Sequence, residues 1–297
     1  MVSIKVPATS ANMGPGFDCL GVALDLYNYF EIEETASGLE ITGCDKSYSN
    51  EFNLIYTSMQ KCFEVLNYQP KGLRININSS IPITRGLGSS AACIIGGVVA
   101  ANELAGGKLT KVQLLEMANS IEGHPDNVTA ALMGGMTIAV QDKGKVYYES
   151  VKIAENIRFC AIIPDFRLST REARSVLPNN LTYDDAIFNI SRATLFVTAL
   201  ANGNYDLIKH ACQDALHQPY RSKLIPGYDE IVEKSKELDC LGVFLSGAGP
   251  TIMVITKSTD KRFLYNMQSF LDKLKDKWTV KELNIDHQGT VISKACK

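Results

Sequence analysis

The sequence predicts an α+β protein of two domains, and three observations carry that reading. Segments that alternate apolar and polar residues, as half-buried strands do, are interleaved with segments of helical period. Glycine-rich turns follow predicted strands at residues 7–21, 82–90 and 246–251. Near residues 155–165 the pattern changes, with no repeat, linker or low-complexity tract to mark the border. A chain of 297 residues is long enough to bury a full core and to divide in two.

The first half starts with a short strand, residues 3–6, broken by Pro7. The loop at 8–21 holds Gly14, Gly16 and Gly21 among Asn12 and Asp18, which suits the lining of a site, although Asn and Asp bonding their own backbone would also explain it. Residues 27–33 alternate as a strand, and 39–42 is expected to pair with it. Leu54, Ile55, Met59, Cys62, Phe63 and Leu66 give 51–68 a helical period, and Leu73, Ile75 and Ile77 alternate again.

There follows the turn Pro82, Ile83, Thr84, Arg85, Gly86, Leu87, Gly88, Ser89, Ser90, which opens a small-residue helix through Ala91, Ala92 and on to Ala105. Gly86 and Gly88 permit positive φ and close approach of a ligand, and the first N–H groups of a helix have no internal partners, so a phosphate fits here. No Gly-Lys-Ser/Thr closes the turn, so it is not a P-loop. Taken alone, an ordinary serine-capped helix fits the same residues.

Thr110 caps the next helix, whose apolar positions are Val112, Leu114, Leu115, Met117, Ala118 and Ile121, with Glu116 of exposed type. His124, Asp126 and Asn127 crowd around Pro125 at the start of a further helix, 127–133, where a capping role would also account for them. Strands at 136–140, 145–150 and 158–163 complete a largely antiparallel sheet.

The second half is richer in helix. Helices are expected at 169–174, at 184–202 with Ile187, Ile190, Ala193, Val197 and Leu200 on one face, at 208–216, and from about Tyr228. Strands 242–245 and 252–255 flank the turn with Gly247, Ala248 and Gly249; a helix at 260–274 and strands at 280–284 and 289–292 finish an open sandwich with helices on one face.

Composition narrows the partners. A net charge of −2 with mixed signs and no basic tract argues against nucleic acid or an anionic membrane. Eight scattered cysteines without a C-x-x-C suggest neither a disulfide framework nor a zinc site. The N-terminal residues lack a signal h-region and no apolar run spans a membrane, so a soluble cytoplasmic protein is expected.

The three glycine-rich turns resemble, in order and spacing, the three motifs of the GHMP small-molecule kinase superfamily, and the likeness runs along nearly the whole chain. Within it, the loop from Asn12 to Asp18, His124 to Asn127, Thr170 to Arg174, and Pro219 to Arg221 are similar to those of homoserine kinases. The resemblance implies a GHMP kinase fold: a ribosomal protein S5 domain 2-like ATP-binding domain over residues 1–160 and a ferredoxin-like domain over 161–297. It also implies phosphoryl transfer from ATP to the side-chain hydroxyl of L-homoserine, in threonine biosynthesis, by a homodimer.

Site roles follow from the same resemblance. The turn from Pro82 to Ala92 would bind ATP, with Gly247, Ala248 and Gly249 on the phosphate side, and Mg²⁺ would be held by Ser90 and Glu116. Arg174 and Arg221 would take the substrate carboxylate and Asp18 the ammonium, which suits guanidinium and carboxylate chemistry. Asn12, His124 and Thr170 would shape the pocket, and Asn127 would lie near the reacting hydroxyl. Asp126 matches an aspartate that some superfamily relatives use as a base, whereas homoserine kinases are often described as lacking one. Another GHMP kinase, or a non-catalytic sensor on the same fold, are the alternatives.

Overall fold

Strands and helices fall largely where apolar periodicity puts them. The computed structural model describes residues 1–153 and 156–294, so Cys296 lies outside the described residues. In order the chain forms β1 (Val2–Ala11), β2 (Leu20–Glu34), β3 (Gly38–Thr42), α1 (Leu54–Leu66), β4 (Gly72–Ser79), α2 (Ser89–Leu104), α3 (Lys111–Glu122), α4 (Pro125–Met133), β5 (Met136–Asp142) and β6 (Lys145–Val151). It continues through β7 (Ile157–Pro164), α5 (Thr170–Ser175), α6 (Tyr183–Asn202), α7 (Ile208–Ala211), α8 (Gln218–Arg221), α9 (Tyr228–Glu237), β8 (Gly242–Leu245), β9 (Ile252–Lys257), α10 (Phe263–Leu271), β10 (Trp278–Leu283) and β11 (Val291–Lys294).

The first sheet has the order β11-β1-β2-β4-β3, with β5 and β6 continuing from the start of β2. Pro7 does not end β1. It sits where the register with β2 shifts between Pro7 and Ala8, an irregularity that tolerates its missing N–H, and the strand runs on to Ala11. The expected pairing of 39–42 with 27–33 is replaced: β3 lies parallel to β4, with Ile41 opposite Ile75. β4 takes the place beside β2, setting Ile75 against Ile32 and Ile77 against Phe30 on one buried face.

Helix α2 explains the small-residue run. It lies between this face and α1, and Gly96 and Gly97 stand where a Cβ would come within 2.5 Å of the Phe30 ring and of Ile55 O respectively. Its glycines and alanines thus let three layers pack at close range.

The second sheet is antiparallel in the order β10-β7-β9-β8. Numbered along the chain this is 4-1-3-2, with β7, β8, β9 and β10 joined in the ferredoxin-like βαββαβ manner. Both of its faces are buried. Phe159, Ala161, Met253 and Ile255 join one core with Phe196 and Leu200 of α6, while Cys160, Ile162, Ile252 and Val254 join another with Ile231 of α9 and Phe263 and Met267 of α10. The expectation of helices on one face is therefore corrected; burial on both faces accounts for the continuous apolar runs of β7 and β9.

Two further differences concern the second half. Of the α6 face expected from periodicity, Leu200 is buried and Val197 packs against the core, whereas Ile187 and Ile190 are 61% and 66% exposed; the buried residues are Asn189, Phe196, Ala199 and Leu200. The last described strand crosses back to pair with β1, Ile4 opposite Ile292, and so belongs to the first sheet.

Candidate active site

A cavity of about 660 Å³ is lined by residues of both halves, including residues of all three glycine-rich turns. Its floor begins at Gly86, φ +75°, whose missing Cβ leaves room for Ser246 O; an added Cβ would lie 2.3 Å from that oxygen. Ser246 Oγ donates to Gly86 O at 2.6 Å, and Thr9 N donates to Leu87 O at 3.2 Å, so the first and third turns brace the second.

Gly88, left-handed at φ 69°, is the N-cap of α2, and no side chain caps the helix. This decides against the serine-capped alternative. The first N–H groups of a 16-residue helix face the cavity together with Ser89 and Ser90, an arrangement suited to phosphate.

Of the turn residues, Pro82, Ile83, Thr84, Arg85, Gly86, Gly88, Ser89 and Ser90 line the cavity. Leu87, Ala91 and Ala92 do not: they are fully buried in the core, and only their backbone could serve a ligand. Arg85 braces the turn against the end of β7, donating from Nε to Pro164 O at 2.9 Å and from Nη2 to Asp165 O.

The carboxylate that meets Ser90 is Glu122, which accepts from Ser90 Oγ at 2.9 Å. Glu116 is absent from the lining. The two acids are six positions apart on α3, about a third of a turn out of phase at 3.6 residues per turn, so one helix face cannot present both. Burial raises the Glu122 pKa, and its bond from Ser90 acts the other way. Sequence reasoning passed over Glu122 although it stands at the helix end immediately before Gly123 and His124, where α3 meets the cavity.

The residues expected to hold a substrate do converge. Arg174, in the last turn of α5, donates from Nη2 to Asp18 Oδ1 at 2.7 Å. Asp18 is held in left-handed conformation, φ 55°, by its N–H donating to Asn12 Oδ1 at 2.9 Å; Asn12 Nδ2 donates in turn to Gly247 O at 2.9 Å. Arg221 is 1% exposed, yet it lines the cavity and donates to Ala173 O and Gly247 O. Burial, then the nearby Arg174 charge, pushes its pKa down to about 10, so it remains a cation at neutral pH. His124 and Thr170 also line the cavity, and burial lowers the His124 pKa.

Helix α4 starts at Pro125, the residue expected to open it, and delivers Asp126 and Asn127 to the same wall. Thr9 Oγ1 donates to Asn127 Oδ1 at 2.6 Å. Asp126, in the first turn of α4, accepts from Asn127 N at 2.7 Å, and burial followed by the Asp18 charge pushes its pKa up to about 7.

Models of the GHMP kinases N terminal domain and the GHMP kinases C terminal match residues 53–135 and 196–273. A homoserine kinase of Clostridium botulinum (strain Kyoto / Type A2) is 58% identical over 293 residues, 99% of each chain. The chain belongs to the homoserine kinase family of GHMP kinases. A crystal structure of homoserine kinase from Cytophaga hutchinsonii, 28% identical, superposes with TM-score 0.86 over 98% of this chain and 97% of that one. The mevalonate kinase of Methanococcus jannaschii, 18% identical, shares the fold with TM-score 0.72 over 96% and 98% of the two chains.

The residues expected to hold a substrate and the three glycine-rich turns line one cavity. No helix among the described residues is long and apolar enough to cross a membrane.

Proposed function

We propose that the protein transfers the γ-phosphoryl group of ATP to the side-chain hydroxyl of L-homoserine, giving O-phospho-L-homoserine. The observation that carries this is the meeting of Asp18, Arg174 and Arg221 in the cavity that also holds the glycine turn at the start of α2. An amino-acid zwitterion needs one anionic and one cationic receptor, and here both stand beside a phosphate cradle.

Phosphoryl transfer of this kind draws most of its rate from positioning and charge stabilisation. The backbone N–H groups from Gly86 to Ser90 bind phosphate oxygens. Arg174 and Arg221 hold the carboxylate and Asp18 the ammonium, while Asn12, His124 and Thr170 close the pocket around them. Asn127, fixed by Thr9, orients the acceptor hydroxyl. Asp126 spends its carboxylate on the α4 N-terminus, and a loose transition state needs little early deprotonation, so we assign no obligatory base.

A hydroxyl beside a carboxylate is a donor set that suits Mg²⁺, so Ser90 and Glu122 would hold the ion. Bound there, Mg²⁺ would neutralise charge on the transferring phosphate. The reading also takes residues 1–160 as the ATP-binding domain and 161–297 as the second, with β11 returned to the first, in a cytosolic homodimer. The seven described cysteines are free thiols, which supports a reducing compartment.

The test is ADP release by pure folded protein offered L-homoserine, L-serine, L-threonine and mevalonate. L-homoserine is expected to be preferred; absence of homoserine-dependent release contradicts the proposal.

A further inference from the structure

Beneath the substrate residues lies a buried imidazole that the reaction itself does not use. His217, 0% exposed, has both ring nitrogens engaged: Nε2 lies 2.9 Å from Gly14 O and Nδ1 3.4 Å from Arg221 Nη1. A carbonyl only accepts and a guanidinium only donates, so the neutral tautomer with hydrogen on Nε2 satisfies both neighbours. Burial lowers the His217 pKa and the Arg221 charge adds to this, while Asp214 opposes it.

The two bonds belong to a closed circuit. Arg221 Nη1 also donates to Gly247 O at 3.1 Å, and that oxygen accepts from Asn12 Nδ2 at 2.9 Å. Asn12 leads back along the loop to Gly14. Asp214 Oδ2 fixes the backbone below, accepting from the N–H groups of His217 at 2.9 Å and Gln218 at 2.7 Å. Phe17 of the same loop stacks on the imidazole, centroids 5.1 Å apart, and the Arg174 and Arg221 guanidiniums lie 5.4 and 5.2 Å from its ring. A histidine serving the core alone would bond to core groups. This one bonds the substrate loop on one side and a substrate arginine on the other.

We propose that His217 is a positioning residue that aims Arg221 at the substrate carboxylate by tying it to the loop carrying Asn12 and Asp18. The proposal rests on the reading of Arg221 as a carboxylate receptor. Its consequence is selectivity: loosening the tie weakens recognition of the carboxylate and leaves ATP binding and the transfer step alone.

The experiment compares kcat/KM for L-homoserine with that for 3-aminopropan-1-ol, the same acceptor without its carboxylate, in wild type, His217→Leu, His217→Gln and Arg221→Met. His217→Leu should lower the homoserine-to-aminopropanol ratio by roughly tenfold, through KM for homoserine, with KM for ATP within about twofold of wild type. His217→Gln, whose amide can still donate to Gly14, should lose less. A ratio unchanged in His217→Leu, or equal losses on both acceptors, overturns the proposal. If the leucine variant does not fold, the glutamine variant decides: a ratio lowered about threefold supports it, an unchanged ratio overturns it. Arg221→Met separates the two layers. If it leaves the ratio unchanged, the carboxylate reading falls and the proposal with it; if it lowers the ratio while both His217 variants do not, only the role of His217 falls.

Discussion

Asp18 and Arg174, one from the loop after β1 and the other from α5, meet across the cavity at 2.7 Å and occupy each other's charge where a zwitterion would exchange them. Their side chains are 31% and 33% exposed, so the pair adds no more than about 1 kcal/mol to stability. Asp18→Asn should therefore melt within a few degrees of wild type and lose about 10²-fold in kcat/KM for L-homoserine. Steady-state kinetics alongside a thermal melt checks this; an unchanged kcat/KM would move the ammonium receptor elsewhere.

The phosphate turn depends on the absence of a side chain at Gly86. Gly86→Ala combines positive φ with a Cβ 2.3 Å from Ser246 O, whereas at Gly106, φ +97°, nothing lies within 4 Å. Strain at Gly106→Ala should cost about 1 kcal/mol, and Gly86→Ala about 3 kcal/mol with a raised KM for ATP. Denaturant melts and ATP titrations of the two variants should separate them; equal effects would refute the brace between the turns.

Glu122 and Glu116 make a direct contrast. Glu122→Gln should raise the Mg²⁺ concentration needed for half-maximal rate by about tenfold or more, while Glu116→Gln should change it little. The reverse result would return the metal role to Glu116.

Asp126 links stability to pH. Its folded pKa of about 7 lies above the ordinary 3.8, so the folded state favours the proton, and the stability it contributes is present below pH 4 and lost as pH rises through 7. Asp126→Asn removes that penalty. Its advantage over wild type should grow by about 2 kcal/mol between pH 5.5 and 8.5 in denaturant melts, and a constant difference would contradict the assignment. Its turnover should stay within about 10³-fold of wild type, since no obligatory base is removed.

Much of this was legible because the chemistry sits in short segments. Gly86, Gly88, His124, Asp126 and Arg174 could be picked out from local patterns and a resemblance, since each lies within a few residues of its motif partners. What escaped depends on distant chain meeting distant chain. Glu122 and Glu116 look alike as acids on one amphipathic helix, and only the phase of α3 against Ser90 separates them. Phe17 and His217 are 200 positions apart, and nothing local says that they stack. The same holds for β3, whose alternation announces a strand without naming β4 as its neighbour, and for Pro7, whose breaking tendency is absorbed where the register with β2 shifts.

The most direct test of the central claim is the identity of the product. Phosphorus-31 NMR of a reaction of pure protein with ATP, Mg²⁺ and L-homoserine should give, beside ADP, a phosphomonoester resonance coupled to the protons of the side-chain carbon that bears the hydroxyl. ADP accompanied only by inorganic phosphate, or by an acyl phosphate on the carboxylate, would contradict it.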